Sequence, residues 1–518
     1  MRCTPLPGQR RFKPMNKESN QLTLVKLGID TQQEFIIFMR ADCFICKSEG
    51  FEAQTQIVVS LNGTAIIATL NIVHSNILQA CEASLSESAW ERLGAKIGDE
   101  ISLSHLDPVL SLAYVRAKIY GKALTSYQFD SIIQDVVAGK YSNIQLSSFI
   151  TACGHNHLST QEIVHLTQAM IKTGEQLHWN HPIVVDKHSV GGIPGNRTTP
   201  IVVAIVAAAG LIIPKTSSRA ITSPAGTADT IETMTSVSFT AKQIQSIVAR
   251  EGGCMAWGGA LGLSPADDIL IRVERVLDLD PEGQMIASVL SKKAAIGATH
   301  VLIDIPVGPT AKIRSDFEFL KLQDYFTVVG RELGLHVYTL KTDGSQPLGR
   351  GIGPSLEAKD ILAVLRCEND APIDLKNKAL SLAAIMLEFG EKAPLGRGLS
   401  LATQLLNDGT ALKKFMRICE AQGGFKEPSS AALTCDILAM HDGVVTEIDN
   451  RNLAKIAKLA GAPHDATAGI EFLTKIGSVV KKNQVLYRIH SESKGALNYS
   501  HAYALSMTDI VKISQVED

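Results

Sequence analysis

The 518-residue sequence predicts a multidomain α/β protein. Three observations predict it. Residues 180 to 425 alternate apolar strand-like runs, such as Val301 to Ile305 and Leu335 to Leu340, with helical stretches, the pattern of a sheet covered by helices. The stretch from Asp107 to Gly174 has helical periodicity instead. Both ends of the chain show short β-like runs between polar turns.

In chain order, residues 1–19 carry Arg2, Arg10, Arg11, Lys13 and Lys17 with no apolar stretch where a signal peptide needs one, so a disordered tail is expected. Residues 20–104 alternate runs such as Glu34 to Phe38, Ile57 to Leu61 and Thr64 to Ile72 with turns, and predict a β-rich domain. Residues 105–178 predict a small helical domain, with capping boxes at Thr125 with Gln128, Ser142 with Gln145, and Ser159 with Glu162. Residues 179–428 form the large α/β domain, expected to hold a mixed sheet and to bind anions. Residues 429–518, with runs such as Gly443 to Ile448 and Val485 to Ile489, predict a closing α+β domain rich in strand.

Composition excludes several classes. A hydrophobic content of 45% supports sizeable cores, and a net charge of -2 gives no reason to expect nucleic acid or a membrane as partner. The longest apolar run, Pro200 to Pro214, is broken by Gly210 and falls short of the roughly 20 residues that span a bilayer. The cytoplasm is the expected location. Nine scattered cysteines fit reduced thiols, and Cys43 with Cys46 lacks the second pair a zinc site needs. No metal site and no organic cofactor are expected.

The chemistry is concentrated in two loops. After the strand-type run Pro182 to Val185 come Lys187, His188 and Ser189, then a turn with Gly191, Gly192 and Gly195, then Thr198 or Thr199 as cap of a helix with Pro200 at its start. Glycines let backbone N–H groups approach an anion closely, and the positive end of the helix faces the turn. No carboxylate stands between Lys187 and Thr199. The second loop follows Leu211 to Pro214 and offers Ser217, Ser218, Arg219, Ala220, Ile221, Thr222, Ser223 and Thr227 before a helix entered near Ala228. Neither loop has the ending of a P-loop or the spacing of a dinucleotide fingerprint. The pair reads as an oxyanion cradle, most simply for phosphate. Lys187 and Lys215 are expected at the carboxyl ends of their strands, where open α/β sheets bind ligands.

These segments, with Gly226-Thr-Ala-Asp229, Gly252 to Ala260 and Ser288-Val-Leu-Ser-Lys-Lys293, resemble the signature of the thymidine phosphorylase and AMP phosphorylase family. The extra hundred residues at the start resemble its longer branch, and the last domain resembles the barrel-sandwich fold that closes the family's chains. The resemblance implies phosphorolysis: inorganic phosphate as co-substrate attacks the anomeric carbon while the base leaves. For thymidine the products are thymine and 2-deoxyribose 1-phosphate. The alternative is a nucleoside monophosphate such as AMP, CMP or UMP, giving free base and ribose 1,5-bisphosphate.

In this scheme Lys187, Ser189, Gly192, Ser217, Ser218 and Thr227 suit phosphate, with Thr199 or Thr198 as a further candidate. The resemblance implies Ser288 and Lys292, four residues apart on one helical face, as base ligands, and Lys312 as a substrate-binding lysine. It also implies the proton donor at Asp280, a residue that reads equally as the cap of the helix after Pro281. The imidazole of His188 is an alternative acid or phosphate ligand. The helical domain pairs with residues around 268–298 in the family, and a homodimer or higher homo-oligomer is implied. One departure bears on substrate: the arginine that shorter thymidine phosphorylases place on the base falls near Val273, between Arg272 and Arg275. A phosphoribosyltransferase with metal-bound pyrophosphate and a silent nucleotide-binding protein are the readings from other classes.

Overall fold

In a computed structural model, the described residues are 21–31, 34–154, 157–220, 223–277, 279, 281–507 and 509–514. The tail expected at 1–19 lies outside them, as do Ile221, Thr222 and Asp280. Contacts divide the chain into two units, Met1–Ala113 with Asp135–Leu146, and Tyr114–Gln134 with Ser147–Asp518.

The first unit is built on a closed six-stranded barrel. Its strands are β1 (Gln21–Leu24), β2 (Ile36–Arg40), β3 (Gln56–Leu61), β4 (Thr64–Val73), β5 (Glu82–Leu85) and β6 (Glu100–His105), in the order β1-β5-β2-β4-β3-β6, with β1 pairing back onto β6. Alternation makes it: in β3, Ile57, Val59 and Leu61 point inward and the residues between face out. Asn62 and Gly63, both at positive φ (49° and 82°), form the tight turn to β4 that this two-residue pair favours. Closure pairs the two outer strands with each other and so protects both edges of the sheet. Cys43 and Cys46 are free thiols packed in this core, which is the structural role expected of them.

In the second unit, five parallel strands carry the α/β body: β7 (Val185–Ser189), β8 (Ile213–Ser217), β9 (Gly253–Trp257), β10 (His300–Val307) and β11 (His336–Asp343). The sheet β11-β10-β7 meets the pair β8-β9 through a parallel bridge between Val184 and Ile212. Antiparallel pairing enters with Gly351–Ile352, which joins Gly469–Phe472 of the closing domain. The helix Thr199–Ala208, TPIVVAIVAA, is apolar all round because every side packs in the core with Ile213, Met255, Leu302, Leu362 and Phe415. Each fully buried Ile or Val there contributes about 1.5–3 kcal/mol. No helix among the described residues is long and apolar enough to cross a membrane.

The capping boxes are present at all three expected starts: Thr125 with Gln128, Ser142 with Gln145, and Ser159 with Glu162. Glu162 also ion-pairs with buried Lys118 at 2.5 Å. The closing domain has a three-stranded antiparallel sheet and three strands of a four-stranded one that Gly351–Ile352 completes, with Asn450–Leu459 and Lys494–Ser506 as its helices.

Candidate active site

The first loop leaves β7 at Ser189 and turns on Gly191, Gly192 and Gly195, at φ of 88°, 95° and 70°. Two of these positions also need glycine for space. A Cβ on Gly192 would lie 2.3 Å from the Lys312 backbone nitrogen, and one on Gly195 would lie 2.2 Å from the Leu348 carbonyl oxygen. Lys312, half-buried, is therefore held against the turn by backbone contact. Gly192→Ala is expected to cost more than about 1 kcal/mol of stability and to weaken anion binding, because φ and contact both oppose a side chain. Thermal melting with and without phosphate checks this.

Lys187 and Lys215 lie inside their strands, two residues before the end, and both are buried. Burial, with repulsion from Lys378 and Arg197 and against the attraction of Asp304, lowers the Lys187 ammonium to about 8. Its Nζ donates to Thr198 Oγ1 at 3.0 Å and stands 3.9 Å from Asp304 Oδ2. Thr198 sits at the cap position of the helix, yet its hydroxyl makes no cap bond and serves Lys187 instead. Thr199 is the first helical residue and Pro200 the second. A hydroxyl that accepts from an ammonium keeps its own proton to donate, so Thr198 can offer it to an anion.

Asp304 supplies the carboxylate that the loop sequence lacks. It is fully buried in β10 and accepts from Ser189 Oγ (2.9 Å) and Thr342 Oγ1 (2.6 Å), with Lys378 Nζ at 3.3 Å. Burial alone would raise its pKa, but Lys187, Lys378 and the two hydroxyls outweigh burial and hold it below the usual carboxylate range. The Ser189 hydroxyl proton is thus committed to Asp304 while Asn196 Nδ2 donates to the same Oγ at 3.1 Å. For Ser189 to serve an anion, that bond must be exchanged. His188 is held well below its usual value by burial and by Lys293, Lys215, Lys187 and Lys292 around it, so near pH 7 it is a neutral imidazole and acts as a hydrogen-bond partner rather than a cationic acid.

In the second loop, Gly226 lets the chain close on itself: a Cβ there would lie 2.6 Å from the Ser218 carbonyl oxygen. Arg219 is engaged by two carboxylates and an aromatic ring. Its guanidinium pairs with Asp229 (3.1 Å) and Glu232 (2.5 Å) and lies over the Trp257 ring at 4.7 Å. Asp229 Oδ2 also accepts from the Ala220 and Gly226 backbone N–H groups, so both residues shape the loop. Ser217 ends β8, Ser218 is exposed, and Ser223 turns its hydroxyl to the Ala225 carbonyl. Thr227 opens the helix Thr227–Glu232 and accepts from Arg197 Nη1 at 3.1 Å.

The helix Glu282–Ala295, which carries Ser288 and Lys292, is anchored by their neighbour. Lys293 Nζ reaches Asp186 Oδ2 in β7 at 2.6 Å, which fixes the helix to the strand of the first loop. Lys292 ion-pairs with Asp267; burial would lower its pKa, but Asp267 and the nearby Asp268 and Glu274 hold it above the ordinary value. Ser288 is half-buried and its carbonyl accepts from Ser291. The cap position of the helix falls on Pro281, in place of Asp280, which lies outside the described residues. Val273 is half-buried on Pro265–Leu277, with Arg272 and Arg275 exposed beside it.

Sequence reasoning did not single out Asp304, Lys378, Arg197, Glu357, Asp267 or Lys293 as parts of the site. Asp304 did leave a trace, as a lone carboxylate inside the apolar run of β10. Among the described residues, no group of three or more His, Cys, Asp or Glu is arranged to hold a metal ion.

Comparison with known proteins places this architecture. Residues 112–174 match a model of the glycosyl transferase family helical bundle domain, 181–412 the a/b domain of that family, and 444–506 the pyrimidine nucleoside phosphorylase C-terminal domain. A Legionella pneumophila (strain Paris) protein named "Putative thymidine phosphorylase" is 56% identical over 497 residues, 96% of each chain. One of the same name from Ralstonia nicotianae is 53% identical over 486 residues, 94% of this chain and 96% of its own. Anthranilate phosphoribosyltransferase from Thermus thermophilus superposes with a TM-score of 0.49 at 18% identity, covering 60% of this chain and 98% of its own. The family models and the near full-length relatives lead to one conclusion: the chain is a pentosyltransferase-type enzyme that belongs to the thymidine phosphorylase family of glycosyl transferases.

Proposed function

We propose that the protein catalyses phosphorolysis of a pyrimidine nucleoside, converting thymidine and phosphate to thymine and 2-deoxyribose 1-phosphate. The observation that carries this reading is the buried Lys187 ammonium, bonded to Thr198 at a helix start and beside a glycine turn at positive φ. Such a site suits a small, highly charged anion. The names of the near full-length relatives and the pyrimidine nucleoside phosphorylase C-terminal domain support the substrate class.

In this mechanism Lys187, the Thr198 and Thr227 hydroxyls and the N–H groups of the turn hold phosphate in line with the anomeric carbon. A phosphate oxygen forms the new C–O bond as the C–N bond breaks, and that electron pair leaves with the base. Phosphate stabilises the cation-like sugar, and Lys292 and Ser288 stabilise the charge on the base. Phosphate is a co-substrate, and no metal or organic cofactor takes part.

A nucleoside monophosphate is the second reading, favoured by Val273, which stands half-buried where the resemblance places a base-binding arginine. Free-base release from thymidine, uridine, AMP, CMP and UMP, with and without phosphate and with a chelator, tests both. Phosphate-dependent, chelator-insensitive release from thymidine is expected. Preference for a monophosphate replaces the first reading by the second, and release from none of the five refutes both.

The free enzyme also sets a pH dependence. The ammonium form of Lys187 binds phosphate, so kcat/KM for phosphate is expected to fall as pH rises through about 8. A profile level from pH 7 to pH 10 would remove Lys187 from phosphate binding.

A further inference from the structure

Arg197 belongs to the first loop but directs its donors to the second loop and to Glu357. Its Nε and Nη2 pair with Glu357 Oε2 (2.5 Å) and Oε1 (3.3 Å), Nη2 also donates to the Ala225 carbonyl (2.8 Å), and Nη1 donates to Thr227 Oγ1 (3.1 Å). Four of the five guanidinium N–H groups are therefore taken by protein acceptors, which ties the side chain to the fold before any ligand arrives.

Its anchor is rigid. Glu357 is 1% exposed and also accepts from Thr230 Oγ1 at 2.9 Å, within the helix that Thr227 begins. Glu357 stands in the first turn of Pro354–Leu365, whose start is held by the Ser355 N–H to the Ala466 carbonyl. One carboxylate thus holds the arginine of the first loop and the helix of the second.

The consequence lies in the Thr227 proton. A threonine hydroxyl has one hydrogen, and when a guanidinium occupies its acceptor side that hydrogen is left to donate outward and is polarised for an anion. Thr198 receives the same treatment from Lys187, so each loop presents one hydroxyl prepared by a cation. We propose that Arg197, held by Glu357, is a positioning residue that sets the Thr227 hydroxyl for phosphate and fixes the second loop to the first. This rests on the reading that the cradle takes phosphate. Lysine cannot replace Arg197, because a single ammonium cannot keep the three bearings of the guanidinium fork.

The test is titration of the full chain with inorganic phosphate by calorimetry, with initial rates beside it, for Arg197→Lys, Thr227→Val and the double variant. Arg197→Lys is expected to weaken phosphate about tenfold, the loss of one hydrogen bond to a charged group, with nucleoside KM moved less than about twofold. On the Thr227→Val background the same change is expected to add less than about twofold, because both act through one hydroxyl. A purely structural role predicts multiplied effects and a parallel rise in both KM values, and either result overturns the proposal. If Arg197→Lys does not fold, Glu357→Gln keeps an acceptor for the arginine and for Thr230, and a smaller weakening of phosphate is expected; an unchanged affinity in that variant overturns the proposal. Absence of phosphate binding by the parent protein overturns it too. Phosphate binding by the parent without phosphate-dependent base release refutes the phosphorylase reading alone, whereas an active Arg197→Lys protein with unaltered phosphate KM refutes only the positioning role.

Discussion

Lys187→Ala is expected to lower kcat/KM for phosphate by about a hundredfold or more, roughly 3 kcal/mol of barrier. Three effects point the same way. The variant loses the buried ammonium of the strand that leads into the glycine turn, and Thr198 loses the donor that leaves its proton free for an anion. It also leaves Asp304 with Lys378 as its remaining cation, so a carboxylate that was shared between two charges now opposes the incoming anion more strongly. The fold is expected to survive, since Lys378 stays 3.3 Å from Asp304 and the Ser189 and Thr342 hydroxyls still donate to it. Initial rates against phosphate concentration, with melting as the control for folding, decide the matter. A folded variant with unchanged phosphate kinetics takes Lys187 out of the role.

What the sequence makes legible here is local chemistry. Capping boxes need residues three apart, and all three are found; glycines that must take positive φ mark the first turn without any knowledge of the fold. The all-round apolar run after Pro200 reads as a buried helix, and is one. Charge compensation is not local. Asp304 is satisfied by Ser189 and Lys187, 115 and 117 positions before it, and by Thr342 and Lys378 after it, which no spacing in one segment announces. The same distance hid the Arg197 to Glu357 pair, separated by 160 positions. Thr198 shows how local reasoning goes astray, because a threonine before a helix reads as a cap until the buried ammonium of the strand before its loop takes its hydroxyl.

A second buried charge cluster gives the other large effect. Asp186 is fully buried in β7 and its two oxygens face Lys293 Nζ at 2.6 Å and Lys215 Nζ at 3.4 Å, while Oδ1 also accepts the Lys187 N–H at 2.7 Å. Burial and the repulsion of Lys215, against the attraction of Asp186, bring Lys293 down to about 7. Asp186→Asn would leave two buried lysines facing an amide, and such a broken pair costs about 3–5 kcal/mol. Lys293→Met is expected to cost less, because Asp186 keeps Lys215.

The sign of the pH dependence follows from the lowered pKa. In the unfolded chain Lys293 holds its proton to about pH 10, whereas in the folded protein it releases it near pH 7, so stability rises with pH across that window. Removing Asp186 lowers the folded pKa further, so the deficit of Asp186→Asn is expected to be larger at pH 6, where Lys293 of the parent keeps its proton and its attraction to Asp186, than at pH 9, where it is neutral in both proteins. Melting of both variants at the two pH values measures this directly. An equal deficit at both would mean that Asp186 holds β7 and the Glu282–Ala295 helix together by shape and hydrogen bonding, and that the Lys293 charge is not what its carboxylate offsets.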